Sequence, residues 1–222
     1  MMPLIFSNNT TRPLKVLCLG AHSDDIEIGC GGTLISLIEK FPDSEFLWVV
    51  FSASNHRKTE ALNSARLYLE KIQHKEILIA DFRDSFFPYI GKEIKEYMGA
   101  LRQRMDPDVI FTTYRHDFHQ DHRLISELTL NTFRNHLIYE FEILKYDGDL
   151  GTPNIYIALD KSICLQKIKR LNDCFNTQSD KQWFDDESFM ALMRIRGVES
   201  NASTRYAEAF YCRKSVLSLK AD

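Results

Sequence analysis

The chain has 222 residues, 44% hydrophobic and 27% charged, with a formal net charge of −3. That balance suits a single globular domain with enough apolar material for its own core, and with no Lys/Arg run there is no basic face to make nucleic acid a default partner. Cys18, Cys30, Cys164, Cys174 and Cys212 are scattered without a C-x-x-C pair, which excludes a disulfide framework and fits a reducing compartment.

The first residues, MMPLIFSNNTTRP, show neither a basic n-region nor a long apolar stretch, so no leader is expected. No run approaches the ~20 apolar residues of a membrane span, and a cytoplasmic protein without a transmembrane segment is expected. Residues 15–20 (KVLCLG) read as a buried strand, 31–40 as a helix with Leu34, Ile35, Leu37 and Ile38 at helical spacing, and 45–51 (EFLWVVF) as a second strand. An amphipathic helix follows over 58–72, with Leu62, Ala65, Leu69 and Ile72 on one face. A third strand is expected over 76–80, and a helix over 92–105 that Asp106-Pro107 stops. Residues 109–113 give a fourth strand and 123–136 another helix. Beyond these, 142–146 and 155–159 read as strands, 161–175 and 187–196 as helices, and 205–213 as a final strand or loop.

Strands alternating with helices predict an α/β fold: a Rossmann-like, doubly wound, mostly parallel sheet with helices on both faces. A core over about 14–150 with a small C-terminal extension over 151–222 makes one domain.

Two short clusters carry the chemistry. Ala21-His22-Ser23-Asp24-Asp25-Ile26-Glu27 follows strand one, and His116-Asp117-Phe118-His119-Gln120-Asp121-His122 follows strand four. In an open parallel sheet, ligands bind beyond the carboxyl ends of the strands where the strand order reverses. With strand order 3-2-1-4-5, strands one and four meet at that point, and the two clusters face each other. His22 and Asp25 are three apart, as are His119 and His122, a spacing that presents two side chains to one centre. Imidazole and carboxylate suit zinc, and three protein ligands leave a fourth position open for water. A metal-dependent hydrolase follows from this pairing.

Other residues have plainer readings. Gly29-Cys30-Gly31-Gly32 fits neither G-x-G-x-x-G nor the Walker spacing and reads as a close loop-to-helix turn. Asp24 and Asp25 would pass for turn residues if the downstream histidines were absent. Glu27 either supports a ligand or caps the following helix. His116 and Asp117 read as loop structure rather than ligands, and His56, His74 and His136 as surface or satisfied core residues. Phe82, Phe86, Phe87 and Tyr89 read as loop packing.

AHSDDIEIGCGGTL resembles the AHPDD-E signature of the PIG-L/LmbE-like zinc de-N-acetylases, and HQDH resembles that family's H-x-D-H motif. RYAEAFYCRK is similar to a segment near the end of bacterial members. The resemblance implies removal of an N-acetyl group from a GlcNAc-like sugar conjugate, releasing acetate and a free amine. It implies His22, Asp25 and His122 as ligands of one Zn2+ (Fe2+ or Co2+ being possible occupants) and Asp24 as general base. His119 would act on the carbonyl oxygen or the leaving amine, oriented by Asp121. Arg57 is either a substrate contact or a solvated helix-start charge, and Asp84 either a sugar-hydroxyl acceptor or a turn residue. Ser23 stands where the family has proline, which frees the loop or tunes substrate preference. The expected partner is a small N-acetylated sugar conjugate, and the chain is a candidate homo-oligomer. A phosphoesterase on the same scaffold and a catalytically silent sugar-binding protein remain alternatives.

Overall fold

A computed structural model describes residues 12–217; the N-terminal stretch read above as lacking a leader lies largely outside the described residues. Strands β1 (Lys15–His22), β2 (Glu45–Ser52), β3 (His74–Ile79), β4 (Val109–Thr113) and β5 (Leu137–Phe141) alternate with helices α1 (Asp25–Lys40), α2 (Asn55–Tyr68), α3 (Gly91–Arg104) and α4 (Gln120–Thr132). Then come β6 (Ile155–Leu159), α5 (Lys161–Cys174), α6 (Asp186–Glu199) and β7 (Tyr206–Cys212). They form one seven-stranded sheet of order β3-β2-β1-β4-β5-β7-β6. The first five strands pair in parallel, with Val16 opposite both Phe46 and Val109. β7 pairs antiparallel with β5 and β6.

The period of two along each strand divides the core. Val16 and Cys18 of β1, Trp48 and Val50 of β2 and Phe111 of β4 pack beneath residues of α1, α2, α5 and α6. Leu17 and Leu19, Leu47 and Val49, and Ile110 face the other way, toward α3 and α4. Both faces of the parallel strands are therefore covered, which is why they read as continuous apolar runs. Among the described residues no helix is long and apolar enough to cross a membrane.

Three differences from the sequence expectation bear on the site and its support. Helix α1 starts at Asp25 rather than residue 31, which places Asp25 and Glu27 in its first turn, where carboxylates favour the helix dipole. The fifth strand is 137–141, and residues 142–146 leave the sheet as a loop. Its signal is masked because Glu140 and Glu142 are buried, each neutralised by a distant arginine: Glu140 by Arg115 at 2.8 Å and Glu142 by Arg196 at 2.6 Å. Finally, the C-terminal extension is not peripheral, since β7 sits between β5 and β6.

β7 also fastens α1. Glu208, buried, accepts hydrogen bonds from the amides of Gly32 (2.9 Å) and Thr33 (2.6 Å). The Lys167 ammonium of α5 donates to Glu208 Oε1 and to the Ile28 carbonyl, both at 2.6 Å. The glycines of α1 permit this close seating: a Cβ on Gly29 would lie 2.2 Å from the Phe141 ring, and one on Gly32 would lie 2.6 Å from Leu159. These glycines therefore lie inside α1 and serve its packing, where the sequence reading put a loop-to-helix turn.

Candidate active site

β1 ends at His22 and β4 at Thr113, side by side in the sheet, so the two clusters emerge at one edge. The His22 amide donates to Asp25 Oδ2 at 2.8 Å, which closes the turn between β1 and α1. Three donor atoms then converge. His22 Nδ1 lies 3.1 Å from His122 Nε2. Asp25 Oδ2 lies 3.6 Å from His22 Nδ1 and 3.4 Å from His122 Nε2. Tetrahedral zinc with bonds of about 2.0–2.1 Å separates its ligands by about 3.3–3.4 Å, so this nitrogen–nitrogen–oxygen triangle has the size and chemistry to hold such an ion. The imidazoles of His22, His119 and His122 also place donor atoms within 4.8 Å of one another.

Carboxylates hold the His22 and His122 imidazoles from behind, the support that metal-ligating histidines have in general. His122 Nδ1 is 2.8 Å from Asp117 Oδ2. His22 Nε2 is 3.2 Å from Asp84 Oδ1 and 3.3 Å from Asp121 Oδ2. Burial works to lower the His122 pKa, but Asp25 and Asp117 outweigh it and push it up to about 9. His22 is likewise raised despite burial, through Asp121, Asp25 and Asp84. The centre is strongly attractive to a cation.

Asp117 belongs to this support and is not merely loop structure: it is 2% exposed, and its other oxygen accepts from the His119 amide at 2.7 Å. The only hint in the sequence is its position within the same short cluster as His122. Asp121 reaches further than His119 alone: its carboxylate accepts from the amides of Ser85 (2.6 Å) and Phe87 (3.1 Å) and lies 3.3 Å from His22 Nε2, in one group with His119. The reason is the helix start: His119 is the N-cap of α4, and its Nδ1 accepts from the Asp121 amide at 3.2 Å, which turns the Asp121 side chain toward residues 85–87. That bond requires the His119 tautomer protonated at Nε2. Burial, with His122 and His22 nearby, holds His119 below its ordinary pKa, so the ring is neutral near pH 7.

Asp24 caps α1 without spending its side chain on a cap bond. It is buried beside Asp25, and burial raises its pKa while Arg57 opposes the rise. Arg57 is 3.2 Å from Asp24 Oδ1, and its Nε donates to Ser23 Oγ at 3.0 Å, so it is fixed in the site rather than solvated. The serine in place of the family proline thus holds an arginine. Asp84 lies 3.7 Å from Arg57, and contact with His22 keeps its carboxyl well below the usual range. Asn55 (φ 51°) and Ser85 (φ 64°) are left-handed. Each flanks one of these rim residues, in keeping with the clustering of backbone strain at functional sites.

Glu27 forms no ion pair with the three converging donor residues and does not cap α1; burial pushes its carboxyl up to about 8. Phe87 is packed under the site, with its ring 6.1 Å from that of His22. Three further acids, Asp117, Asp147 and Asp149, gather within 4.8 Å, but the Lys145 ammonium lies among them at 3.0, 3.7 and 2.5 Å. Above the donors lies a cavity of about 120 Å³. Its lining also includes Ile143, Lys145, Lys181 and Trp183, which no motif announced.

Among solved structures, the chain is similar to N,N'-diacetylchitobiose deacetylase from Pyrococcus horikoshii complexed with its inhibitor MPG (22% identity, 89% of this chain and 83% of that one, TM-score 0.65). It is similar to GalB, the 4-carboxy-2-hydroxymuconate hydratase from Pseudomonas putida KT2440 (16% identity, 94% and 100% covered, TM-score 0.72). It is also similar to the A40926 pseudoaglycone deacetylase Dbv21 (15% identity, 89% and 96% covered, TM-score 0.67). At such identities these likenesses speak for a shared fold. Residues 17–133 match the family model PIG-L, described as GlcNAc-PI de-N-acetylase. That segment runs from within β1 to just past α4 and contains both clusters, so with more than half of its length matched the chain belongs to the PIG-L family.

Proposed function

We propose that this protein is a zinc-dependent de-N-acetylase that hydrolyses the acetamide of a GlcNAc-like sugar conjugate to acetate and a free amine. The observation that carries this reading is the convergence of His22, Asp25 and His122 donors with the Asp24 carboxylate left uncommitted to capping beside them. When bound there, zinc supplies Lewis acidity to the amide carbonyl and lowers the pKa of water to about 7. Asp24 takes the proton of the attacking water, and its raised pKa suits a base working near neutral pH. Neutral His119 donates its Nε2 proton in a hydrogen bond to the carbonyl oxygen as negative charge develops there. As the C–N bond breaks, the proton held by Asp24 passes to the amine nitrogen, and the water oxygen stays with the acetyl carbon. Asp121 and Asp117 fix the two imidazoles, while Arg57 and Asp84 meet sugar hydroxyls at the rim.

Two-metal phosphoesterases need a second ion about 3.5–4 Å from the first; of the further ion-holding groups among the described residues, Asp117, Asp147 and Asp149 already surround Lys145, and His22, Asp84, His119 and Asp121 share His22 with the first site. Likeness to a hydratase supports a second reading, in which the activated water adds to a carbon–carbon double bond. Acetate release separates the two. Purified protein incubated with a panel of N-acetylhexosamine conjugates should release acetate and stop when a chelator is added. Asp24→Asn should keep its metal and lose about 10²–10⁴ in turnover, whereas His122→Ala should lose the metal. Full metal occupancy in His122→Ala, or undiminished acetate release by Asp24→Asn, would refute the assignment.

A further inference from the structure

At the opposite end of the sheet from the His22, Asp25 and His122 triangle, β7 parts from β5. The two strands pair as far as Tyr139 and Cys212, and beyond that pair lies a cavity of about 270 Å³. Its lining is Leu130 and Arg134 at the end of α4 and the turn after it, His136 and Ile138 around the start of β5, and Arg213 and Lys214 just past β7. Leu130 lies about 12 Å of helix beyond His122, and the two cavities share no lining residue. Three of the six residues are permanent cations, and none is an acid. Arg213 acts on the Glu140 carboxylate, which already carries Arg115 at 2.8 Å. Neither Arg134 nor Lys214 forms an ion pair with a carboxylate among the described residues. The backbone that bears these cations is fixed from several sides. Cys212, just before Arg213, exchanges two hydrogen bonds with the Asn154 side chain, at 2.8 and 3.0 Å. The Lys214 ammonium donates to the Arg134 carbonyl, which ties the end of β7 to the turn after α4. In that turn Phe133 is fully buried; the His136 ring stands edge-on to it at 5.4 Å, with Nε2 2.8 Å from Asp106 Oδ1. The two remaining residues, Ile138 and Leu130, belong to the core shared with α3 and α4.

We propose that this cavity binds a phosphate monoester, with Arg134, Arg213 and Lys214 taking the phosphoryl oxygens and Leu130 and Ile138 covering the first carbons of the ester. A guanidinium meets phosphate oxygens with two parallel N–H donors, and an ammonium adds a compact point charge. One guanidinium suffices for a carboxylate. Three cations around one space match the charge of about −1.5 to −2 that a phosphate monoester carries near pH 7. Apolar lining is of no use to a bare ion, but it covers the carbons beside the ester oxygen, and each methylene withdrawn from water tightens binding. All three cations lie beyond residues 17–133, the segment matched by the family model, so the site stands apart from the motifs of the de-N-acetylase reading and does not rest on it. A soluble ester and a lipid headgroup both offer this chemistry, and Val216 and Leu217 are exposed just past Lys214, so both sources enter the test.

Calorimetry with butyl phosphate and butanoate, and co-sedimentation with phosphatidylcholine vesicles with and without phosphatidic acid, test the site. Each is run on the intact protein, on the double variant Arg134→Gln/Arg213→Gln and on His122→Ala. Both arginines are exposed, so the double variant should keep its thermal midpoint. The expected result is a single bound butyl phosphate, held about tenfold or more tighter than butanoate and weakened about tenfold or more in the double variant. In His122→Ala that binding should be unchanged, which separates it from an anion held at the proposed metal centre. If only vesicles containing phosphatidic acid bind, and the double variant releases them, the site stands with a lipid headgroup as its ligand. Binding that survives in the double variant, or that disappears in His122→Ala, would put the anion elsewhere and overturn the proposal. Equal affinity for butanoate, or no binding of either phosphate probe, would overturn it too.

Discussion

Replacing Glu208 by glutamine tests how α1 is held. The carboxylate accepts from two α1 amides and from Lys167, and both charged side chains are about 4% exposed. Glutamine keeps the shape but presents an NH₂ group where one oxygen accepted, and the Lys167 ammonium is left buried without its counter-charge. Breaking a buried pair in this way costs about 3–5 kcal/mol, and for a chain of this size each kcal/mol lowers Tm by about 2–4 °C. A loss of about 6–20 °C is therefore expected in thermal unfolding, with a matching fall in the urea midpoint. Combining Glu208→Gln with Lys167→Met removes the stranded charge, so the double variant should be more stable than the sum of the single effects by at least about 2 kcal/mol. A single-variant loss below about 1 kcal/mol, or additivity within about 0.5 kcal/mol, would refute the view that this pair anchors the helix bearing Asp25.

Metal uptake should release protons, because His122, with a pKa of about 9, and His22, also raised, hold protons near pH 7 in the metal-free protein. Zinc affinity should therefore fall as pH drops from 8 to 6, and calorimetry in buffers of different ionisation enthalpy should count the released protons; an affinity independent of pH would contradict it. Ser23→Ala removes the hydroxyl that accepts from Arg57. At about 1 kcal/mol for such a bond, KM should rise about fivefold with metal content unchanged, and a change in kcat alone would argue against it. Glu27, whose carboxyl is raised from 4.5 to about 8, contributes no cost below pH 4.5, where both folded and unfolded chains are protonated. Between pH 4.5 and 8 the folded state binds the extra proton, so stability falls as pH rises, by on the order of 3 kcal/mol at pH 7. Glu27→Gln should stabilise the protein in urea unfolding by an amount that grows from pH 5 to pH 8, and a constant difference would exclude this account.

The parallel half of the sheet was legible because its strands are buried on both faces and stand out as apolar runs between helical repeats. That legibility extended to the site, since strand order alone predicts that the ends of β1 and β4 are neighbours. What escaped is what partners from afar create. Glu140 and Glu142 look like surface residues until Arg115 and Arg196 are folded against them. Asp117 has the residue type of an ordinary loop, and only the three-dimensional approach of His122 gives it a purpose. Lys181 and Trp183 carry no local pattern at all; the cavity wall they form arises from how the connection between α5 and α6 is pinned. That Asp121 also meets His22 was hidden for a local reason, because the N-cap of α4 turns its carboxylate toward residues 85–87.

The placement of β7 has a bearing on how the molecule comes into being. Every proposed ion-gripping side chain has been synthesised once His122 is made, yet the strand that supplies Glu208 comes more than eighty residues later. Until Tyr206–Cys212 emerges, β5 presents an open edge, β6 lacks its neighbour, and α1 lacks two of its tethers. A nascent chain at that stage exposes strand edge and apolar surface of the kind that chaperones shield. On the proposed reading, capture of a cation would thus be a late event in biogenesis, following the pairing of β7 rather than the synthesis of both motifs.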